Sequence, residues 1–143
     1  MDAVITWVDG SDPRHIAKRI ALRPDRPDAP RSSSHDTRFA SLNEIETCLI
    51  SMLKHAPVFR RIFLVTDDQV PACLERICRD FPAAREKIRV VDHREIFHGH
   101  EDLLPTFNST SIETMLFRLP DLDEEFVFFN DDFFILAPVE PAD

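Results

Sequence analysis

The sequence predicts an α/β fold in three layers, a mostly parallel sheet covered by helices on both sides. Three observations predict it. Short β-branched and aromatic runs alternate with segments of helical periodicity. The central runs are apolar at nearly every position, as strands buried on both faces should be. Dense polar clusters follow those runs directly, at the carboxyl ends of strands where open α/β sheets bind ligands. A length of 143 residues fits one domain with a core of its own.

Residues 2–8 (DAVITWV) read as a strand that ends in Asp9-Gly10-Ser11-Asp12-Pro13. That is a dense turn signal, in which Gly10 would supply an unusual φ. A helical piece carrying Ile16 and Ile20 follows. Residues 22–36 hold Pro24, Pro27, Pro30, several charges and three serines, and read as a flexible loop. Residues 41–44 (SLNE) fit a capping box with Ser41 at N-cap and Glu44 at N3. Leu42, Ile45, Leu49, Met52 and Leu53 then recur at helical spacing, which predicts a helix over 42–55 ended by Pro57. Residues 61–66 form the second strand and Asp67-Asp68-Gln69 its turn. A helix is expected over 71–81 with Pro71 at its start, and a third strand over 88–92. Residues 93–107 are polar, irregular and His-rich. A second capping box at 110–113 (TSIE) opens a helix through Leu119, which Pro120 stops. Residues 125–129 are the fourth strand and 133–136 a fifth.

The net charge is −9, from 26 acids against 17 bases. The excess is local: residues 101–143 hold eleven acids and one base, Arg118. A nucleic-acid binder should carry a basic stripe, so that class is excluded, and cations are the favoured partners. With only Gly10 and Gly99, neither a G-x-G-x-x-G loop nor a P-loop can be built. Cys48, Cys73 and Cys78 lack metal-type spacing and read as buried reduced thiols, which suits a reducing, cytoplasmic compartment. No stretch reaches the roughly 18 apolar residues of a membrane helix, and no signal peptide is visible. Membrane association is therefore expected to be peripheral at most.

Asn130-Asp131-Asp132 is the sharpest feature. Two adjacent carboxylates repel unless separated, solvated or neutralised, and here Phe128-Phe129 and Phe133-Phe134 flank them. A divalent cation with hard oxygen ligands resolves the conflict, and Mg²⁺ commonly takes one or two carboxylates and completes its shell with water and phosphate. A solvated turn between two strands fits the same residues. Asp9-Gly10-Ser11-Asp12 is a tight turn or a ligand loop. Trp7, the only tryptophan, is either core or a stacking wall. His93, His98 and His100 crowd one segment, as surface groups, as a metal site or as a general base. Glu113 is explained by its cap position. Arg38 and Arg118 are candidate phosphate clamps, and Asp67 and Asp68 form a turn.

Together these segments resemble the Stealth family. Residues 2–13 (DAVITWVDGSDP) are similar to its opening region. Arg38-Phe39, Asn43-Glu44, His55-Ala56-Pro57, residues 62–66 (IFLVT) and Gln69-Val70-Pro71 are similar to its second region. That likeness continues through residues 93–97 (HREIF), 104–109 (LPTFNS), Ile112-Glu113, 118–120 (RLP) and 128–132 (FFNDD), in order, from Asp2 to about Pro138. The resemblance implies a GT-A glycosyltransferase-like fold. It implies transfer of a sugar-1-phosphate from a nucleotide-diphosphate sugar to a glycan hydroxyl in capsule or exopolysaccharide synthesis, with Mg²⁺ or Mn²⁺ on the diphosphate. It makes Asp131 and Asp132 the metal side. Trp7, Val8, Asp9, Gly10, Ser11 and Asp12 would line the donor pocket. Asn43, Glu44, Thr66, Thr106, Asn108, Ser109 and Asn130 would bind substrate. Asp12, Glu113 and Arg38 are the catalytic candidates. Met115, Phe117 and Leu103 stand where family members often carry histidines. The family also has two later regions that supply a His and an Arg, and this sequence ends before either. The resemblance thus predicts the front, donor-binding part of a larger catalytic domain, inactive by itself.

Overall fold

The computed structural model describes residues 1–22 and 41–140. The described chain runs β1 (Asp2–Thr6), α1 (Pro13–Ala21), α2 (Glu44–His55), β2 (Ile62–Thr66), α3 (Leu74–Asp80), α4 (Ala84–Lys87), β3 (Ile88–Asp92), α5 (His93–Ile96), α6 (Ser109–Glu113) and β4 (Phe126–Asn130), with single 3₁₀ turns at Glu101–Leu103 and Leu116–Arg118. The four strands form one sheet in the order β3-β2-β1-β4, and every pairing is parallel. The expected α/β class and parallel sheet are what the chain forms, in a Rossmann-like arrangement.

Alternation along the strands builds the three layers. Ala3, Ile5, Ile62 and Leu64 point to one face, where α2 supplies Ile45, Cys48, Leu49 and Met52 and α3 supplies Ile77. Val4, Phe63, Val65 and Val91 point to the other face, against Ile96, Phe97, Ile112, Leu116 and Leu119. β2 is buried at all five positions, which is why it reads as an unbroken apolar run. Cys48 and Cys73 are buried free thiols. No described helix is long and apolar enough to cross a membrane.

Several local expectations are corrected. The first strand stops at Thr6, although Trp7 still donates its N–H to the Val65 carbonyl (2.9 Å). Gly99, at φ 80°, is the described glycine with positive φ, not Gly10. α2 starts at Glu44 rather than 42. Asn43 sits at φ 67°, a left-handed conformation that asparagine tolerates better than most residues. The Glu44 carboxylate turns back to accept from the Leu42 N–H (2.7 Å) and the Ser41 hydroxyl (3.1 Å). Leu42 is thereby off the helix and 91% exposed, not on its apolar face. Residues 71–73 turn before α3 instead of opening it, and the Leu74 N–H donates to the Pro71 carbonyl (3.0 Å).

The segment over 93–107 is not wholly irregular. Asp92 and Glu95 form a reciprocal capping box for α5: the Asp92 carboxylate accepts from the Arg94 N–H (2.8 Å), and Glu95 accepts from the Asp92 N–H (3.1 Å). The helix expected over 110–119 is instead short α6 plus a 3₁₀ turn. Its cap is Asn108, which accepts from the Thr110 N–H (3.0 Å), so Glu113 has no capping role. Residues 133–136 form no strand. The Ile135 N–H donates to the Ser51 hydroxyl (3.0 Å) and the Val139 N–H to the His55 carbonyl (2.7 Å), so this tail follows α2 rather than joining the sheet. Arg38, and the loop over 22–36 beyond Leu22, lie outside the described residues.

Candidate functional site

β1 lies between β2 and β4, so the chain leaves it in one direction towards β2 and β3 and returns on its other side as β4. Such a reversal opens a crevice beyond the carboxyl ends of the two strands. Register sets that crevice: Thr6 pairs with Asn130, the last residues of β1 and β4, so both strands end level. The residues just past each strand therefore meet across the gap. A cleft of about 540 Å³ sits there. Thr6, Trp7 and Val8 form one wall, Asn130, Asp131 and Asp132 the second, Ser41 and Glu44 the third, and Thr106, Phe107, Ser109 and Ile112 the fourth, with His15 and His93 also lining it. A second cleft of about 300 Å³ adjoins it through Trp7 and Ser41, and Asp9, Ser11, Asp12, Asn43 and Gln69 line that one.

Trp7 answers to both readings of it. It packs in the core with 8% exposure and also lines both clefts, and its indole N–H is buried with no hydrogen-bond partner. The Asp9–Asp12 loop is fixed from within and from below. Asp9 accepts from the Ser11 N–H (2.8 Å) and hydroxyl (2.6 Å), and Asp12 caps α1 by accepting from the Arg14 N–H (2.7 Å). Gln69 pins the loop from the β2 turn: its carbonyl accepts from the Asp9 N–H (2.7 Å), and its amide donates to the Asp9 carbonyl (3.0 Å) and to Asp12 (3.3 Å). The Arg14 N–H, helped by Gln69, holds the Asp12 carboxyl below its ordinary range, which makes it a weak proton acceptor. The Glu44 carboxyl is lowered too, by its own N–H, the Leu42 N–H and the Ser41 hydroxyl.

Asp131 is the opposite case. Half-buried, its carboxyl is raised by desolvation first and then by the charges of Asp132 and Glu44. Burial with a lesser push from the same two aspartates drives the Cys48 thiol of α2 up to about 12. The acidic pair thus places two adjacent carboxylates in the cleft wall. No set of three or more His, Cys, Asp or Glu among the described residues is arranged to hold a metal. Two carboxylates are within what Mg²⁺ requires of a protein, because water and phosphate oxygens supply the rest.

Not every expected residue faces the clefts. Thr66 is buried, and its hydroxyl donates to the Gln69 carbonyl (3.2 Å) and accepts from the Gln69 N–H (3.2 Å), so it shapes the turn that presents Gln69. Gly10 is buried within its loop. Asn108 and Glu113 are exposed outside the cleft walls. Arg118 donates to the His98 carbonyl (2.5 Å), and His98 and His100 are exposed.

Sequence reasoning missed a partly buried polar cluster beside the main cleft. His15 and Lys18, one turn apart on α1, converge on Asp67. The His15 Nδ1 lies 3.1 Å from Asp67 Oδ2, and the Lys18 ammonium donates to Oδ1 (2.7 Å). His15 also meets Phe107 edge-on at 5.1 Å between ring centroids. The hydrogen bond from His15, with Lys18 behind it, holds the Asp67 carboxyl well below the usual carboxylate range. The i, i+3 spacing of His15 and Lys18 was visible in the sequence, but nothing there marks Asp67 as their partner.

This cluster fixes the sign of an acid response. Stability rises with pH wherever the unfolded chain binds more protons. Asp67 protonates at lower pH folded than unfolded, so its contribution is full above about pH 4 and is lost as pH falls through the folded value. His93, whose pKa is lowered by burial, adds a loss that begins below about pH 6.5. Asp67→Asn is therefore expected to flatten the pH dependence of the urea midpoint below about pH 4, while the His93 loss still begins below about pH 6.5 and runs to lower pH because the Asp67 charge that favours protonated His93 is gone. An unchanged slope below about pH 4 would refute the role given to Asp67.

The comparisons with known proteins bear on the same residues. Residues 1–26 match Stealth protein CR1, conserved region 1, and residues 38–143 match Stealth protein CR2, conserved region 2. The chain is 44% identical over 141 residues to the exopolysaccharide phosphotransferase SCO6021 of Streptomyces coelicolor, covering 99% of this chain and 24% of that protein. It is 40% identical over 143 residues to the capsular polysaccharide phosphotransferase cps1A of Actinobacillus pleuropneumoniae, covering 98% and 36%. It is 38% identical over 152 residues to the receptor polysaccharide phosphotransferase WefC of Streptococcus oralis, covering 100% and 40%. The chain thus spans between about a quarter and two-fifths of these relatives.

Proposed function

The chain belongs to the Stealth family, and from that premise we propose that it is the donor-binding part of a sugar-1-phosphate transferase. It would move a hexose-1-phosphate or HexNAc-1-phosphate from a nucleotide-diphosphate sugar to a glycan hydroxyl in capsule or exopolysaccharide synthesis. The observation that carries this reading is the cleft at the β1/β4 switch point, where the paired carboxylates of Asp131 and Asp132 line the same space as Trp7, Val8 and the polar residues Thr106 and Ser109.

Each wall has a task in this reading. Trp7 offers an aromatic edge to a base or sugar ring. Asp9, Ser11 and Asn43, held in the adjoining cleft, and Glu44, Thr106, Ser109 and Asn130 in the main one, supply hydrogen bonds that orient hydroxyls. Asp131 and Asp132 would hold Mg²⁺ or Mn²⁺, because a divalent cation offsets the desolvation, and the lesser repulsion from Asp132 and Glu44, that raise Asp131. When bound, the ion would neutralise charge on the donor diphosphate. A cytoplasmic protein, peripheral to the membrane at most, completes the proposal.

Product analysis on the intact protein, as its gene encodes it, tests this with UDP-glucose and UDP-N-acetylglucosamine as probes. A nucleoside monophosphate is the expected product, since attack falls on the β-phosphorus. A nucleoside diphosphate would mean attack at the anomeric carbon, the reaction of a metal-dependent glycosyltransferase. Metal-dependent binding without turnover would mark a nucleotide-sugar-binding module.

A further inference from the structure

We propose that His93 is a catalytic residue of the main cleft, its imidazole taking the proton of the attacking hydroxyl while the Asp67 carboxylate stabilises the imidazolium. This rests on the phosphotransferase reading and names a proton acceptor for it among the described residues.

The position comes first. His93 opens α5 directly after β3, at the carboxyl end of a parallel strand, and lines the cleft with Trp7 and Asp131. It is only 3% exposed, so a group bound in the cleft would meet it largely shielded from water. Four carboxylates of the two clefts are poorly suited to the task. Asp12 and Glu44 are held in their ionised form by backbone N–H donors, and Asp131 and Asp132 are committed to the cation in the reading above.

The surroundings supply both states of the ring. Burial lowers the His93 pKa and keeps the imidazole neutral at pH 7, ready to accept. The charges facing it are Asp67 and Asp92, which favour the protonated form, and Lys18 and His15, which oppose it. Asp67 is fixed by His15 and Lys18 and stays ionised, so an imidazolium formed at His93 finds a negative charge already in place. In the step itself a bond forms between the acceptor oxygen and the β-phosphorus. The bond from that phosphorus to the bridging oxygen breaks, and its electron pair leaves with the nucleoside monophosphate. The hydroxyl proton goes to His93, which returns it to solvent.

The test follows monophosphate release by the intact protein with UDP-glucose or UDP-N-acetylglucosamine and Mg²⁺, water serving as acceptor, across pH 4.5–8.5 (roughly two units either side of an ordinary histidine). His93→Gln is expected to lower kcat by about 10²-fold or more, to leave the donor KM within about threefold, and to abolish the acidic limb of kcat/KM. Asp67→Asn is expected to move that limb to lower pH, because the charge favouring protonated His93 is gone. The second variant decides the matter if the first fails to fold. Release by wild type with His93→Gln within about threefold of it, or an acidic limb that Asp67→Asn leaves unmoved, overturns the proposal and keeps the phosphotransferase reading. Diphosphate release, or no nucleotide product from wild type, overturns both.

Discussion

Asp131→Asn and Asp132→Asn should each lower turnover by about 10³-fold, the scale of losing a principal electrostatic contact to the transition state, without unfolding the protein. The two halves of this expectation have one cause. Asp131 is half-buried beside Asp132 and Glu44, and its carboxyl is raised, so the folded chain holds that charge against its environment. An acid with a raised folded pKa costs stability above its unfolded value. Replacing it by an amide should therefore leave the melting temperature unchanged or slightly higher, the usual relation between a strained functional group and stability. Binding should respond in the other direction. Calorimetry with Mn²⁺ and UDP-N-acetylglucosamine should show metal-dependent donor binding in wild type and none in either variant. Wild-type affinity with intact metal dependence in both variants would sink the metal assignment, and a cooperative melt in each excludes misfolding as the reason for a loss.

The residues that make this cleft were legible to different degrees, and for physical reasons. β1 and β2 stand out because central strands buried on both faces must be apolar at nearly every position, and β3, half-buried at the sheet edge, shows the same signal more weakly through Ile88, Val90 and Val91. Asn130, Asp131 and Asp132 stand out because charge so close to apolar runs must lie at a strand end. Element boundaries were harder. Asn43 takes a positive φ that lets Glu44 fold back on Leu42, a choice made by one backbone rotation and invisible to periodicity. The aromatic run after Asp132 looks like a strand, but the Ser51 hydroxyl takes up the Ile135 N–H and draws the tail along α2. The least legible feature is the His15–Asp67–Lys18 group. It joins α1 to the turn after β2 across about fifty residues, and such pairings arise from the sheet order, which no local pattern encodes. His93 was visible as one of three histidines. What separates it from His98 and His100 is the capping box formed by Asp92 and Glu95, which starts a helix and turns His93 inward while the other two remain exposed.

Asp2→Ala should be the most damaging single change to the fold outside the apolar core, at about 2–4 kcal/mol. Asp2 is 0% exposed at the start of β1, an unusual place for a carboxylate. It is tolerated because four donors surround it. Arg60 donates through Nε (3.2 Å) and Nη2 (2.8 Å), and the backbone N–H groups of Arg61 (3.2 Å) and Asp123 (3.0 Å) complete the set. One side chain thus ties the start of β1 to the residues that open β2 and to the turn that leads into β4. Removal leaves two backbone N–H groups without their acceptor, at about 1–3 kcal/mol each if they stay dry. The stranded guanidinium adds less than a fully buried charge would, because Arg60 is 50% exposed and keeps Asp123 at 3.7 Å. Asp2→Asn, which retains one acceptor oxygen, should cost less than Asp2→Ala, and urea unfolding of the two should preserve that order. The cleft lies at the other end of the same strands, so the register that levels Thr6 with Asn130 depends on this anchor. Donor KM is therefore expected to rise in Asp2→Ala together with the loss of stability, and to return towards wild type in Asp2→Asn. A loss below about 1 kcal/mol in Asp2→Ala, less than one ordinary hydrogen bond, would show that the four contacts are replaced by water and that the anchor is not needed.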